Sequence, residues 1–111
     1  MDNPYLRAML LFNITAIADT GIGPVVERWL RQDYLPLVQK AGLFTDTRLL
    51  RLLSPPQEGM TLCIQLIGDA NGIERYRQDF LPLFQQQAHQ YTGQLFLIES
   101  IMEYMDETVE S

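Results

Sequence analysis

The nonapeptide Arg31-Gln32-Asp33-Tyr34-Leu35-Pro36-Leu37-Val38-Gln39 occurs twice. Its second copy, 46 residues further on, reads Arg77-Gln78-Asp79-Phe80-Leu81-Pro82-Leu83-Phe84-Gln85. Only Tyr34 against Phe80 and Val38 against Phe84 differ, and both changes keep apolar bulk. An internal repeat constrains architecture before any single element is assigned. In a chain of 111 residues this period implies one domain built from two similar halves. The domain is expected over residues 1–105, with halves 8–53 and 60–104, and an acidic, disordered tail over 106–111.

The chain is 47% hydrophobic and 20% charged, which suits a globular core of ordinary size. Eight basic residues face fourteen acidic ones, for a net charge of −6. Binding to nucleic acid or to an anionic membrane requires clustered Lys and Arg, so neither is expected as a partner. Cys63 is the only cysteine, which excludes an intrachain disulfide or a multi-cysteine metal site and suits a cytoplasmic setting. Ala8 to Ala18 superficially resembles a signal-peptide core. The segment before it, however, balances Asp2 against Arg7, and removing it would strip the first half of its leading strand. No run reaches the ~18 apolar residues of a membrane span.

Ala8 to Ala18 therefore reads as a first strand, rich in β-branched and aromatic residues. A turn at Asp19 to Pro24 opens a helix running to about Ala41. Its apolar stripe is Val26, Leu30, Tyr34, Leu37, Val38 and Ala41, with Trp29 at the edge, and Gly42 takes the left-handed cap position. Leu43 to Leu53 is a second strand whose buried face the pattern leaves open. After a Pro55-Pro56 loop, Met60 to Ile67 is a third strand. Asp69 and Asn71 cap a second helix carrying Ile73, Tyr76, Phe80, Leu83, Phe84 and Gln87 on its stripe. Gln94 to Tyr104 is the fourth strand.

The order βαββαβ predicts a ferredoxin-like α+β fold, a four-stranded antiparallel sheet with both helices on one face. The other face is expected to carry Met9, Leu11, Asn13, Thr61, Cys63, Gln65, Ile67, Leu97 and Ile101. That surface is too apolar to leave in water, and its simplest cover is the same face of a second copy. A homodimer through the sheet is the expectation.

Pro36 and Pro82 fall inside helical patterns and deny the carbonyls of Gln32 and Gln78 their usual donor. The favoured reading is a kink that wraps each helix over a twisted sheet. The alternative is that the freed carbonyls and their Arg-Gln-Asp neighbours line a mouth of the structure.

Leu11-Phe12-Asn13-Ile14-Thr15, the Tyr34-Leu35-Pro36 helix, and Phe44-Thr45 before an Arg-containing strand resemble a small bacterial family of unknown function. That family is placed by resemblance within the dimeric α+β-barrel superfamily. The resemblance implies two ferredoxin-like protomers packed sheet to sheet. The superfamily includes cofactor-independent monooxygenases and small isomerising enzymes, several of which carry a functional histidine just before the Leu-Pro. Here that position is Tyr34.

His89 is the only histidine, so no multi-histidine metal site can form within one chain and no metal or other cofactor is expected. Its place near a helix end favours a capping role. Cys63 in mid-strand reads as a small buried hydrophobe. Asn13, Gln65 and Glu99 are expected to share the dimer-facing side, with Arg48 or Arg51 as charge partner. They would form a satisfied polar network or the lining of a small cavity. Asn13-Ile14-Thr15 also spells a glycosylation acceptor, without meaning inside a strand. Gly21-Ile22-Gly23 lacks the third glycine of a phosphate loop.

Three function classes remain open. The first is a dimeric barrel that binds a small molecule or a partner. The second is a cofactor-independent enzyme on a hydrophobic substrate, with Asn13, Gln65 and Tyr34 orienting it and His89 or Glu99 as acid or base. The third is a structural or interaction module. Asn13, Tyr34, Arg48, Gln65, His89 and Glu99 are the candidate ligand-binding residues, and catalytic residues stay unassigned.

Overall fold

The computed structural model describes residues 8–105, and the acidic tail expected over 106–111 lies outside them. Four strands, β1 (Leu10–Ala18), β2 (Asp46–Arg51), β3 (Met60–Gly68) and β4 (Leu95–Glu103), form one antiparallel sheet in the order β2-β3-β1-β4. The chain between β1 and β2 is helical over α1 (Gly23–Trp29), a π-helical turn (Leu30–Tyr34) and α2 (Leu35–Lys40). Between β3 and β4 lie α3 (Ala70–Asp79) and α4 (Leu81–Gln90).

Alternation in β1 and β3 fixes the sheet. Leu10, Phe12, Ile14, Ala16 and Ala18 of β1 are buried, as are Leu62, Ile64 and Leu66 of β3. Successive strand residues point to opposite faces, so these define the covered face. Val26, Leu30, Tyr34, Leu35, Val38, Ile73, Tyr76, Leu81 and Phe84 from both helical stretches join them in a single core. Asp69 caps α3 as the sequence suggests, its Oδ1 accepting the Gly72 N–H at 2.8 Å. Gly42 adopts φ 68°, the left-handed conformation expected of it.

Each expected helix is in fact divided at its proline, and in two different ways. In the first, Pro36 offers no N–H to the Gln32 carbonyl, and the chain widens into the π turn, where the Leu35 N–H reaches the Leu30 carbonyl. In the second, the helix breaks at Phe80 (φ −122°, ψ −40°) and restarts with Pro82 in its first turn. The division shifts the helical phase. Leu37 and Leu83, expected on the buried stripes, are exposed, and Leu35 and Leu81 are buried in their place.

The strands also correct the expected faces. Residues directly opposite in an antiparallel pair share a face. Leu97 and Ile101 pair with Ala16 and Phe12 and therefore lie on the helix side of the sheet, not the open one. The open face of β4 is Phe96, Ile98, Ser100 and Met102. In β2 the helix side is Thr47, Leu49 and Arg51, and the open side is Asp46, Arg48 and Leu50.

Candidate functional site

The open face is organised in rows across the sheet. One row is polar and crosses all four strands: Arg48, Gln65, Asn13 and Ser100. The rows on either side are largely apolar, with Leu50, Cys63, Thr15 and Ile98 on one flank and Asp46, Ile67, Leu11 and Met102 on the other. Leu50, Phe96, Ile98 and Met102 are each 44–56% exposed. Asn13 Nδ2 donates to Thr15 Oγ1 at 3.0 Å, and Thr15 Oγ1 lies 4.0 Å from Cys63 Sγ. Arg48 Nε donates to Asp46 Oδ2 at 2.7 Å on the same face, with the Arg48 side chain largely in solvent and that of Asp46 half-buried.

The candidate residues thus fall into three places rather than one. Asn13 and Gln65 share the open face as expected, and of the two candidate charge partners it is Arg48 that joins them. Glu99 pairs with Ile14 and points to the helix side, which corrects its expected place beside Asn13. The parity error is that of Leu97 and Ile101. Glu99 accepts from Gln85 Nε2 at 3.4 Å and, with exposed His89, lines a shallow cleft of about 360 Å³ beside β4. Arg51, the alternative charge partner, also faces the helix side, where its guanidinium pairs with Glu27.

Tyr34 occupies the third place, the core. It stacks on Trp29 at a 4.8 Å ring separation and packs edge-on against Phe84. Its hydroxyl donates to the Phe80 carbonyl at 2.9 Å and lies 2.6 Å from the Tyr76 hydroxyl, which donates in turn. Burial holds the Tyr34 phenol above its ordinary pKa, partly offset by the bond from Tyr76. Burial, reinforced by Tyr34, raises Tyr76 further. Neither phenol is available as a base at neutral pH. Tyr34 is 2% exposed and does not reach the open face.

Sequence reading missed a second cleft, on the helix side of β2. Arg31, Leu35, Gln39, Thr47 and Leu49 line a cavity of about 420 Å³. Its residues gave no sequence signal, since each half of the lining belongs to a different element. Among the described residues no group of three or more His, Cys, Asp or Glu side chains is arranged to hold a metal ion. No helix there is long and apolar enough to cross a membrane.

No curated protein and no solved structure matches the chain. Residues 9–105, from the edge of β1 to past the end of β4, match a family described as "Domain of unknown function (DUF4286)". The match takes in the sheet, both divided helices and both clefts, so the chain belongs to this family.

Proposed function

We propose that the protein is a self-associating binding module. It is a single ferredoxin-like domain whose open sheet face packs on that of a second copy, as in a dimeric α+β barrel. The observation that carries this reading is the row pattern of the open face, where exposed apolar side chains flank a polar band. Monomeric proteins seldom leave a contiguous apolar patch of this kind in water. Four strands about 4.8 Å apart and about 3.3 Å per residue over nine residues span on the order of 550 Å². With side-chain relief, that approaches the ~800 Å² per partner of a standard interface. The strand order and the helices on one face support the ferredoxin-like placement. The band of Asn13, Gln65 and Arg48 would face inward and supply the hydrogen-bonding groups for a ligand or for the partner's band.

The enzyme reading is less well supported. It draws on Asn13, Gln65, Tyr34, His89 and Glu99 together, and these lie on the open face, in the core and beside β4 respectively.

Sedimentation equilibrium at micromolar concentration tests the association. The wild-type chain is expected at dimer mass and Ile98→Asp, which places a charge in the apolar flank, at monomer mass. A monomeric wild type, or an Ile98→Asp variant that stays dimeric, would refute the proposal.

A further inference from the structure

We infer that the cleft between the first helical stretch and β2 is a binding site for an amphipathic monocarboxylate, such as an acyl or aryl-alkyl acid. This site lies on the opposite side of the sheet from the proposed interface and does not depend on it.

Two straight walls make the cleft. One is Glu27, Arg31, Leu35 and Gln39, spaced four residues apart. The other is Arg51, Leu49 and Thr47, alternate residues on the helix side of β2. In a regular α-helix a four-residue step overshoots the turn by about 40°, so four such residues would wind off the face. The π turn at Leu30–Tyr34 falls within this row and takes up the excess rotation. π turns inside helices recur at functional sites. The second nonapeptide, which breaks at Phe80 instead, has no such row, and the residue matching Glu27 there is buried Ile73.

Charge and polarity are ordered along the cleft. At one end Arg31 Nε lies 3.1 Å from Glu27 Oε2, while an Arg51 terminal nitrogen pairs with Oε1 of the same carboxylate. Two guanidiniums on one carboxylate leave a single uncompensated positive charge. The unused donors keep the planar fork that fits a carboxylate. The middle of the cleft is apolar, with Leu35 and Leu49. At the far end Gln39 Nε2 donates to Thr47 Oγ1 at 2.7 Å, a bar across the groove. Beyond the bar a further cavity of about 230 Å³ is lined by Val38 and Phe44 together with polar Thr45 and Asp46. From Arg51 to Thr47 the wall is about 13 Å long at 3.3 Å per residue. The main cavity, about 420 Å³, lies in the range of small-ligand pockets. One net positive charge at one end of a groove with leucines midway selects a monoanion whose apolar portion can lie on Leu35 and Leu49. In a chain of net charge −6, this is a local exception to an anion-repelling surface.

Calorimetric titration of the full chain with decanoate, and with decanol as the uncharged analogue, tests the site. Decanoate is expected to bind once per chain, and decanol about tenfold or more weaker, as the loss of a charge-assisted contact implies. Arg31→Gln, at an exposed position, should reduce decanoate binding to the level of decanol. Ile98→Asp, on the other face of the sheet, should leave it unchanged. The site is overturned if decanoate does not bind or decanol binds equally well. It is also overturned if Ile98→Asp abolishes binding that Arg31→Gln spares, since the acid would then sit on the open face.

Discussion

Tyr34 and Phe80 hold the same position in the two copies of the repeat, and they touch. The Tyr34 hydroxyl donates to the Phe80 backbone carbonyl at 2.9 Å, across the line where the two helical stretches meet. The same carbonyl, at the break between the two segments of the second helix, also accepts the Leu83 N–H at 3.1 Å. One of the two differences between the copies therefore joins the halves.

Tyr34→Phe makes the two nonapeptides more alike and should nevertheless destabilise the protein. It removes the donor to Phe80 and leaves the buried Tyr76 hydroxyl without its acceptor, a loss of about 1–3 kcal/mol. In Tyr34→Phe/Tyr76→Phe no buried hydroxyl is orphaned, so the double variant should lose less than the sum of the single variants. Urea denaturation of the three variants measures this coupling, and strictly additive losses would contradict it.

Alkaline pH should weaken the fold through the same pair. Both phenols are held above their ordinary value in the folded state. Above about pH 10 the unfolded chain gives up phenol protons that the native state keeps, so stability falls as pH rises. The slope reaches about 1.4 kcal/mol per pH unit for each phenol while the two states differ by one proton. Below pH 10 the contribution is fully present. Urea midpoints at pH 9, 10 and 11 should fall steadily above 10, and Tyr34→Phe/Tyr76→Phe should flatten that decline.

Gly72→Ala tests a close approach. Gly72 lies in the first turn of α3, where alanine would ordinarily favour the helix by about 1 kcal/mol. An added Cβ would stand 2.5 Å from the Leu43 carbonyl oxygen, which is backbone and has no rotamer to escape into. The variant should lose about 1–3 kcal/mol, the scale of an overpacked core site. A thermal midpoint at or above the wild-type value would show that the β2 entry loop yields.

Much of the fold was legible because β1 and β3 alternate cleanly and are bounded by turn residues. The α3 cap at Asp69 and the Gly42 turn follow from local chemistry that no distant contact overrides. The parity of β4 was not legible. Leu95, Phe96, Leu97 and Ile98 are apolar without alternation, so only pairing with β1 decides which of them face the helices. The misplacement of Glu99 followed from that. Asn13 and Gln65 were grouped correctly because β1 and β3 carry their own phase, whereas the sequence left Arg48 and Arg51 as alternatives and only pairing with Gln65 places Arg48 beside them. The β2 cleft escaped notice for another reason. Arg51 and Glu27 are 24 residues apart, and the row from Glu27 to Gln39 exists only once the helix widens.

The polar band across the open face also restricts how anything flat can lie there. A partner sheet displaced by one strand repeat of two residues, about 7 Å, would set Asn13, Gln65 and Arg48 against an apolar row. Amide and guanidinium donors would then lose water and gain nothing in return. The apolar flanks alone would accept many offsets, since hydrophobic contact carries no direction. In the proposed dimer, one row of hydrogen-bonding side chains would therefore serve as an alignment mark: the flanks would make the face adhesive, and the band would set the offset at which it adheres.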